Sequence, residues 1–455
     1  MKNRDIQKSE LVKLSFGLND FLLSEHLIQH EISHNALFCI MKCCLVYVKR
    51  FFCIFFSNIF KYGLMFRKQS YYKKNYNIEN VFFAPTLNNK RALEEIIQNT
   101  DHYFLIDNIN DINKYPIFQV YVYSLKTFFL VTREFLRLKR SKEKDIIGNT
   151  LINYILTVGF YCVDMKICRN TKIRSLIVAN DHTNFNRAFI QAAKSNEIVT
   201  VYVQHASVAS YYPQLNFTYS FLDGLDSLSK YVANDKSISD TTVILLGAAR
   251  YDKLAKKRKI NRRTNYAIGI GINILDDRKK IIDTCRNLSV DFPDYKIIIR
   301  AHPNWGENIL FDSSNILFTS AYDEPIDVFF SKIDILIAND SCIHLDAIKF
   351  QIPSLMYTFS MDGFSDQYDF VKSNLVENIK TYERLRKLII SGNFYFPSDD
   401  VIRLFDNSYN KEYEGSVSQM IANLINNGFQ DSFYTQLNLE YIIVGHMAYY
   451  QIPVC

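Results

Sequence analysis

Three short polar clusters stand at the ends of apolar runs: Gln204-His205, Arg300-Ala301-His302-Pro303 and Asn339-Asp340-Ser341. A histidine at a strand terminus can take a proton from a hydroxyl, because its pKa lies near neutrality. Asp181-His182 offers a second acid/base pair at the same sheet edge; either can serve as the base, and His205 is the favoured one. Pro303 stops the preceding strand and keeps His302 extended at its edge. Next to Arg300, that imidazole can donate to a diphosphate or phosphodiester; the plain alternative is a structural loop. Ser341 is placed to be an N-cap or first-turn residue, with backbone N–H groups beside its hydroxyl and a phosphate-attracting helix end. The plain alternative there is capping without a ligand. Asp346, one turn on, would hold a ribose or orient the loop. No Asp-X-Asp occurs in the chain. A metal is therefore not expected, nor any other cofactor, and the charge of a leaving phosphate falls to His302, Arg300 and a helix N-terminus.

These clusters need elements to hold them. From Ile173 onward, strand-like runs (Ser175–Ala179, Val199–Val203, Thr242–Leu246, Tyr266–Ile272, Lys296–Arg300, Ile316–Thr319, Ile333–Ala338 and Pro353–Tyr357) are separated by helical patterns. The helices are expected at Asn184–Asn196, Asp276–Leu288, Glu324–Ser331 and Cys342–Phe350. Near-continuous apolar strands between helices predict parallel sheets covered on both faces, an α/β fold. Ligands of such sheets sit beyond the carboxyl ends of the strands, where the polar clusters fall. Upstream, Val81–Phe83 and Tyr103–Ile106 read as strands, and about 115–140 and 146–167 as long helices. The basic run Ala255–Arg263 marks a domain boundary, as a solvated linker. Gly269 and Gly271 close a strand before a helix and would let backbone approach a ligand, although the pattern is no dinucleotide fingerprint.

The chain has 455 residues, too many for one ordinary core, so two domains are expected. Its net charge of +6 is mild and comes without a nucleic-acid signature. Nine cysteines without a CxxC pair read as reduced thiols, and the amino terminus has no apolar signal core, so a cytoplasmic protein is expected. Between Glu31 and Glu79 there is no acidic residue, whereas lysines and arginines interleave with aromatics. This segment predicts either contact with an anionic membrane surface or a helical hairpin packed on the body. Its longest uncharged run, Phe51–Phe60, is far short of the ~20 residues needed to span a bilayer. His30-Glu31-Ile32-Ser33-His34 fits HExxH, but no further ligand follows at a zinc-enzyme spacing, and chance is the better explanation.

Four local matches, over roughly residues 173–360, resemble the GT-B-fold transferases of bacterial surface polysaccharides. The nearest likeness is to CDP-glycerol glycerophosphotransferases and related capsule and teichoic-acid enzymes. Gln204-His205 resembles that family's His-Gly segment, with Ala206 for the Gly. Gly247-Ala-Ala-Arg250-Tyr-Asp252-Lys-Leu254 resembles its G-x-P-R-x-D-x-L stretch. Arg300-Ala-His302-Pro303 matches R-x-H-P, and Asp334 to Asp346 is similar to its D-x-L-I-T-D-Y-S-S-x-x-x-D segment, with Cys342 at the second Ser. His-Pro with a Ser/Thr motif is also similar to bacterial sialyl- and polysialyltransferases. The resemblance implies two Rossmann-like domains facing a cleft: an acceptor side at 79–254 and a donor side at 265–404. A basic helical extension (1–78) and C-terminal helices (405–455) complete the expected layout. It implies His205 as the base, to which the residue reading adds Asp181 and His182 as the rest of the catalytic set. On the donor side it implies Arg250, Arg300, His302, Pro303, Asn339, Asp340, Ser341, Cys342 and Asp346, beside Gly269 and Gly271 from the residue pattern. The expected partners are a nucleotide-linked donor, CDP- or CMP-linked favoured, and a saccharide or lipid-linked acceptor. Rival expectations are a UDP-sugar 2-epimerase-like enzyme and an inactive GT-B scaffold that docks polysaccharide enzymes.

Overall fold

The computed structural model describes residues 8–19, 35–62, 78–139, 141–209, 212, 214–233, 241–257, 266–302, 305, 309, 311–359, 363–430, 440–444 and 447–451. The HExxH stretch, Pro303, the basic residues 67–74 and most of the Ala255–Arg263 run lie outside them. In chain order the helices are α1 (Lys8–Leu18), α2 (Ala36–Tyr62), α3 (Leu87–Gln98), α4 (Ile117–Arg137), α5 (Lys142–Asn149), α6 (Leu151–Asn170), α7 (Asn184–Lys194) and α8 (Leu225–Ala233). There follow α9 (Asp252–Lys257), α10 (Arg278–Asp291), α11 (Ile326–Phe330), α12 (Ile343–Lys349), α13 (Tyr382–Ser391), α14 (Asp399–Phe405) and α15 (Val417–Asn426).

Strands β1 (Asn80–Phe83), β2 (Tyr103–Ile106), β3 (Ser175–Val178), β4 (Val199–Val203), β5 (Tyr219–Leu222) and β6 (Thr242–Leu245) build the first sheet. It ends in a C-terminal hairpin of β13 (Glu440–Val444) and β14 (Met447–Gln451). The order is β13-β14-β6-β5-β4-β3-β1-β2, all neighbours parallel except within the hairpin. Strands β7 (Ala267–Ile272), β8 (Lys296–Ala301), β9 (Ile316–Ser320), β10 (Ile335–Ala338), β11 (Ser354–Tyr357) and β12 (Glu377–Ile379) form the second sheet, wholly parallel, in the order β12-β11-β10-β7-β8-β9. Two parallel, helix-covered, Rossmann-like sheets make this a GT-B-like α/β fold.

The central strands carry the cores. Every residue of β7 is buried, as is every residue of β1, β3 and β10. Such runs are what a parallel sheet covered on both faces requires. On one face of the first sheet lie α4, α6 and α7; α6 is a long apolar helix enclosed by its neighbours, with fifteen buried residues. The opposite face packs against α3 and α15. After α14 the chain returns from the second unit: the Asn407 amide donates to Leu245 O at 2.9 Å, and its backbone N–H to Asp223 O at 2.8 Å. The tail then divides into α15 and a β hairpin, rather than the purely helical end expected. The single helix read at about 146–167 is two, broken at Thr150.

Candidate functional site at the two sheet mouths

Each sheet reverses its direction of growth at one place. In the first, β2 lies on one side of β1 and β3 on the other; in the second, β8 and β10 flank β7. At such a switch point the neighbouring loops part and leave a crevice at the carboxyl ends of the strands. The first crevice is bordered by Asp181-His182, directly after β3, and His205 follows the adjacent β4. The second crevice is bordered by Asn273–Asp276 and Asn339–Ser341, with His302 after β8. The polar clusters of the sequence therefore stand at the mouths of both sheets.

At the first mouth the Asp181 carboxylate, 5% exposed, lies 2.7 Å from Nδ1 of His182. The His182 ring is 6.4 Å from that of His205 and 4.5 Å from that of Tyr212, centroid to centroid. Neither Asp181 oxygen has a well-aligned hydrogen-bond partner, and Nδ1 of His205 is buried without one. Buried polar atoms left without partners are rare in folded proteins, and a catalytic role or a bound water or ion accounts for many of them. Burial, then His182 and Arg250, push the His205 pKa down to about 4. The ring is neutral at physiological pH and free to accept a proton. Gln204 does another job. Its amide donates to Ala206 O and Ser227 Oγ, both at 2.8 Å, and its oxygen accepts from the Asp223 N–H at 3.0 Å, fixing the loops that follow β4 and β5.

Asp223 has no counterpart among the sequence expectations. It follows β5, the strand Tyr219–Leu222, which the sequence reading passed over. Its carboxylate holds Arg250 at 2.7 Å. Burial alone would lower the Arg250 pKa, but Asp223, Tyr251 and Asp346 outweigh it and push the guanidinium well above its ordinary value. Arg250 lies over the Tyr251 ring at 4.5 Å, and the Tyr251 hydroxyl donates to Asp346 of α12. Arg250 and Asp346 thus join the two units.

In the second crevice Asn339 donates to Asp276 Oδ1 at 2.8 Å, and Asp276 Oδ2 accepts from the Asn273 N–H at 2.7 Å, lacing the two banks together. Asn339 Oδ1 is buried and without a partner. Asp340 is committed to the 363–370 loop through Ser365 Oγ and the Gln367 N–H, at 2.8 and 2.7 Å. The cap differs from expectation: Cys342, not Ser341, occupies the N-cap position of α12, and no side chain caps it. Ser341 Oγ accepts only a long 3.5 Å contact from the Ile343 N–H and keeps most of its bonding capacity. The Cys342 thiol, its pKa raised by burial, sits against Ser207 of the first unit and Tyr368. That contact brings the Ser341 loop against the His205 loop. His302 is half-buried, its pKa lowered by desolvation, and its backbone N–H donates to Ile272 O at 3.0 Å.

Arg300 and the two glycines have structural duties of their own. Arg300 is 5% exposed, and its Nη1 donates to Glu324 O at 2.8 Å over the Phe329 ring, so it anchors the loop after β9. The α-carbons of Gly269 and Gly271 face neighbouring side chains. A Cβ at Gly269 would stand 2.4 Å from Ile333 Cδ1, and one at Gly271 3.2 Å from Ile343. Among the described residues, no group of three His, Cys, Asp or Glu side chains is arranged to hold a metal ion.

No protein-family model matches the sequence, and no curated protein matches it. Solved structures similar in fold include the UDP-GlcNAc 2-epimerase of Methanocaldococcus jannaschii, at 13% identity and a TM-score of 0.48, covering 77% of this chain and 100% of that one. The Neisseria meningitidis UDP-GlcNAc 2-epimerase bound to UDP-GlcNAc is also 13% identical, with a TM-score of 0.46 and coverage of 77% and 98%. The glycosyltransferase SnogD of Streptomyces nogalater is 9% identical, with a TM-score of 0.38 and coverage of 78% and 96%.

Proposed function

We propose that this chain is a transferase that moves a sugar or polyol-phosphate unit from a nucleotide-activated donor to a hydroxyl of a growing cell-surface polysaccharide. A CDP- or CMP-linked donor is favoured by the sequence resemblance. The observation that carries the reading is the pair of facing mouths: a neutral imidazole with an unpartnered Nδ1 on one sheet and an uncommitted serine hydroxyl with a histidine on the other. His205 Nδ1 takes the acceptor proton while the acceptor oxygen attacks the activated carbon or phosphorus. The bond to the nucleotide phosphate breaks, and His302 and Ser341 donate to the departing oxygens. Its low pKa keeps His205 unprotonated before the donor arrives, and the donor's negative charge then stabilises the imidazolium. Asp181 and His182 orient the acceptor and share the proton.

Calorimetry with CMP, CDP and UDP tests the donor side; binding of none of the three removes the reading. His205→Ala is expected to lower turnover by about a hundredfold or more while nucleotide affinity stays within about twofold. His302→Ala is expected to weaken nucleotide binding, and unchanged affinity would exclude its phosphate contact.

A second reading, epimerisation of a nucleotide sugar, draws on the buried Asp181 carboxylate beside two imidazoles, since that chemistry needs an acid and a base around one sugar carbon. Solvent deuterium entering a nucleotide sugar without any acceptor would favour it. Release of free nucleotide only when acceptor is present favours transfer.

A further inference from the structure

Helix α2 is held to the body by one side only. Cys39 and Cys43 are buried, and Tyr47 and Phe51 pack edge-on to Tyr121 of α4 at 5.0 and 5.5 Å. On its other side, Met41, Leu45, Val48, Phe52, Phe56 and Phe60 recur every three or four residues, and Leu45 is 70% and Phe60 90% exposed. On α4, Val122, Leu125, Phe129 and Leu136 repeat the pattern, with Phe129 80% exposed. At 100° per residue, the exposed arc of each helix adjoins the arc that packs on the other helix and lies opposite its buried arc. The two stripes therefore share one outward face, about 30 Å long from the rise per residue. Contiguous exposed apolar surface of that extent marks a site of interaction.

The charges select the occupant. Lys42 and Lys49 flank the α2 stripe, and Lys126, Arg133 and Arg137 border that of α4. α2 has no acidic residue; Glu134 of α4 is already paired with Arg133 and Arg137, and Asp145 of α5 lies near the Lys42 end. A second copy of this chain would set basic rim against basic rim. An anionic bilayer instead receives the rings among its acyl chains and the ammonium and guanidinium groups on its phosphates. We propose that α2 and α4 together form a face that docks on an anionic phospholipid bilayer, lying on it without crossing. This docks the molecule through the unit built on the first sheet. The docking face stands independently of the transfer chemistry.

The test is co-sedimentation of the full chain with vesicles of phosphatidylglycerol and phosphatidylcholine, or of phosphatidylcholine alone. The wild type is expected to sediment with the anionic vesicles and to be released by salt. Phe52→Ser with Phe129→Ser should lower the bound fraction about tenfold, and Lys42→Gln with Lys49→Gln should remove the preference for anionic lipid. All four positions are exposed, and unchanged thermal unfolding verifies that the variants fold. Equal sedimentation of wild type and the phenylalanine variant would overturn the proposal. So would a wild-type dimer in light scattering that the same variant makes monomeric. A chain that binds vesicles but no nucleotide would retain the docking face and lose only the transferase reading.

Discussion

His344, which the sequence reading passed over, shows how a single residue holds the second crevice. It is fully buried and lies between Ser354 Oγ at 2.6 Å and Asn339 O at 2.9 Å. A carbonyl only accepts, so the proton sits on Nε2, and Nδ1 accepts from the serine hydroxyl. Burial pushes its pKa down to about 4, and that of His205 likewise. On acidification below ~6.5 the unfolded chain takes up protons that the folded one refuses, so stability falls as the pH drops towards 4. From its shift, His344 alone contributes roughly 3 kcal/mol of this loss. Urea unfolding at a series of pH values checks it. His344→Gln should be less stable at pH 7 by about 1–3 kcal/mol, yet show a flatter slope between pH 6.5 and 4. An unchanged slope would place the titration elsewhere. The neighbouring Asn339 and Asp340 were legible as a polar cluster after a strand. That Asp340 serves the 363–370 loop was not, because its partners lie 25 and 27 residues on.

At the scale of elements, the strands of near-continuous apolar residues were legible to within one or two residues, because a sheet covered on both faces demands that composition. What escaped were β5, β12 and the terminal hairpin. β12 is three residues long and carries Glu377 and Asn378, and the hairpin was read as helix although Tyr441, Ile442, Ile443 and Val444 favour strand. The stretch Gly247–Leu254 was legible as a motif but not as a set of structural duties. Gly247 has φ +106°, and a Cβ there would stand 2.5 Å from Ser408. Asp252 accepts from the Ser418 N–H at 2.6 Å, the Ser418 hydroxyl at 2.5 Å and the Val417 N–H at 3.3 Å, across 165 residues of sequence. It thereby caps α15, whose own N-cap Ser416 makes no side-chain bond. Asp252→Ala should lower stability by about 2 kcal/mol, read as a shifted urea midpoint at constant slope, and Asp252→Asn should recover part of it. If Asp252→Ala were neutral, α15 would be held by packing alone.

For the whole molecule the question is what makes two sheets one body, and Asp406 answers it. The residue is fully buried where the chain returns from the second unit to the first. One oxygen accepts from the Ala248 N–H of the first unit at 3.1 Å and from Ser408 Oγ at 2.6 Å; the other meets Lys349 of α12 at 2.5 Å. Lys349 is also buried and reaches Glu414 at 2.8 Å. Burial would raise the Asp406 pKa, but Lys349 and the surrounding donors hold it below the usual carboxylate range. Removing one member of such a set strands the other charge in the interior, at a cost of about 3–5 kcal/mol. This knot, with Tyr251 on Asp346, sets the two mouths in register, and no sequence pattern could have announced it, since its members come from four separated segments. Asp406→Ala is expected to uncouple the units, turning a single calorimetric transition into two, with the second sheet and its crevice melting first. Under the proposed transfer chemistry nucleotide binding should weaken less than turnover, because the proposed donor mouth lies within one unit whereas the proposed proton transfer draws on both. A variant that still unfolds in one transition at a lower temperature would mean that the helix contacts alone bind the units together.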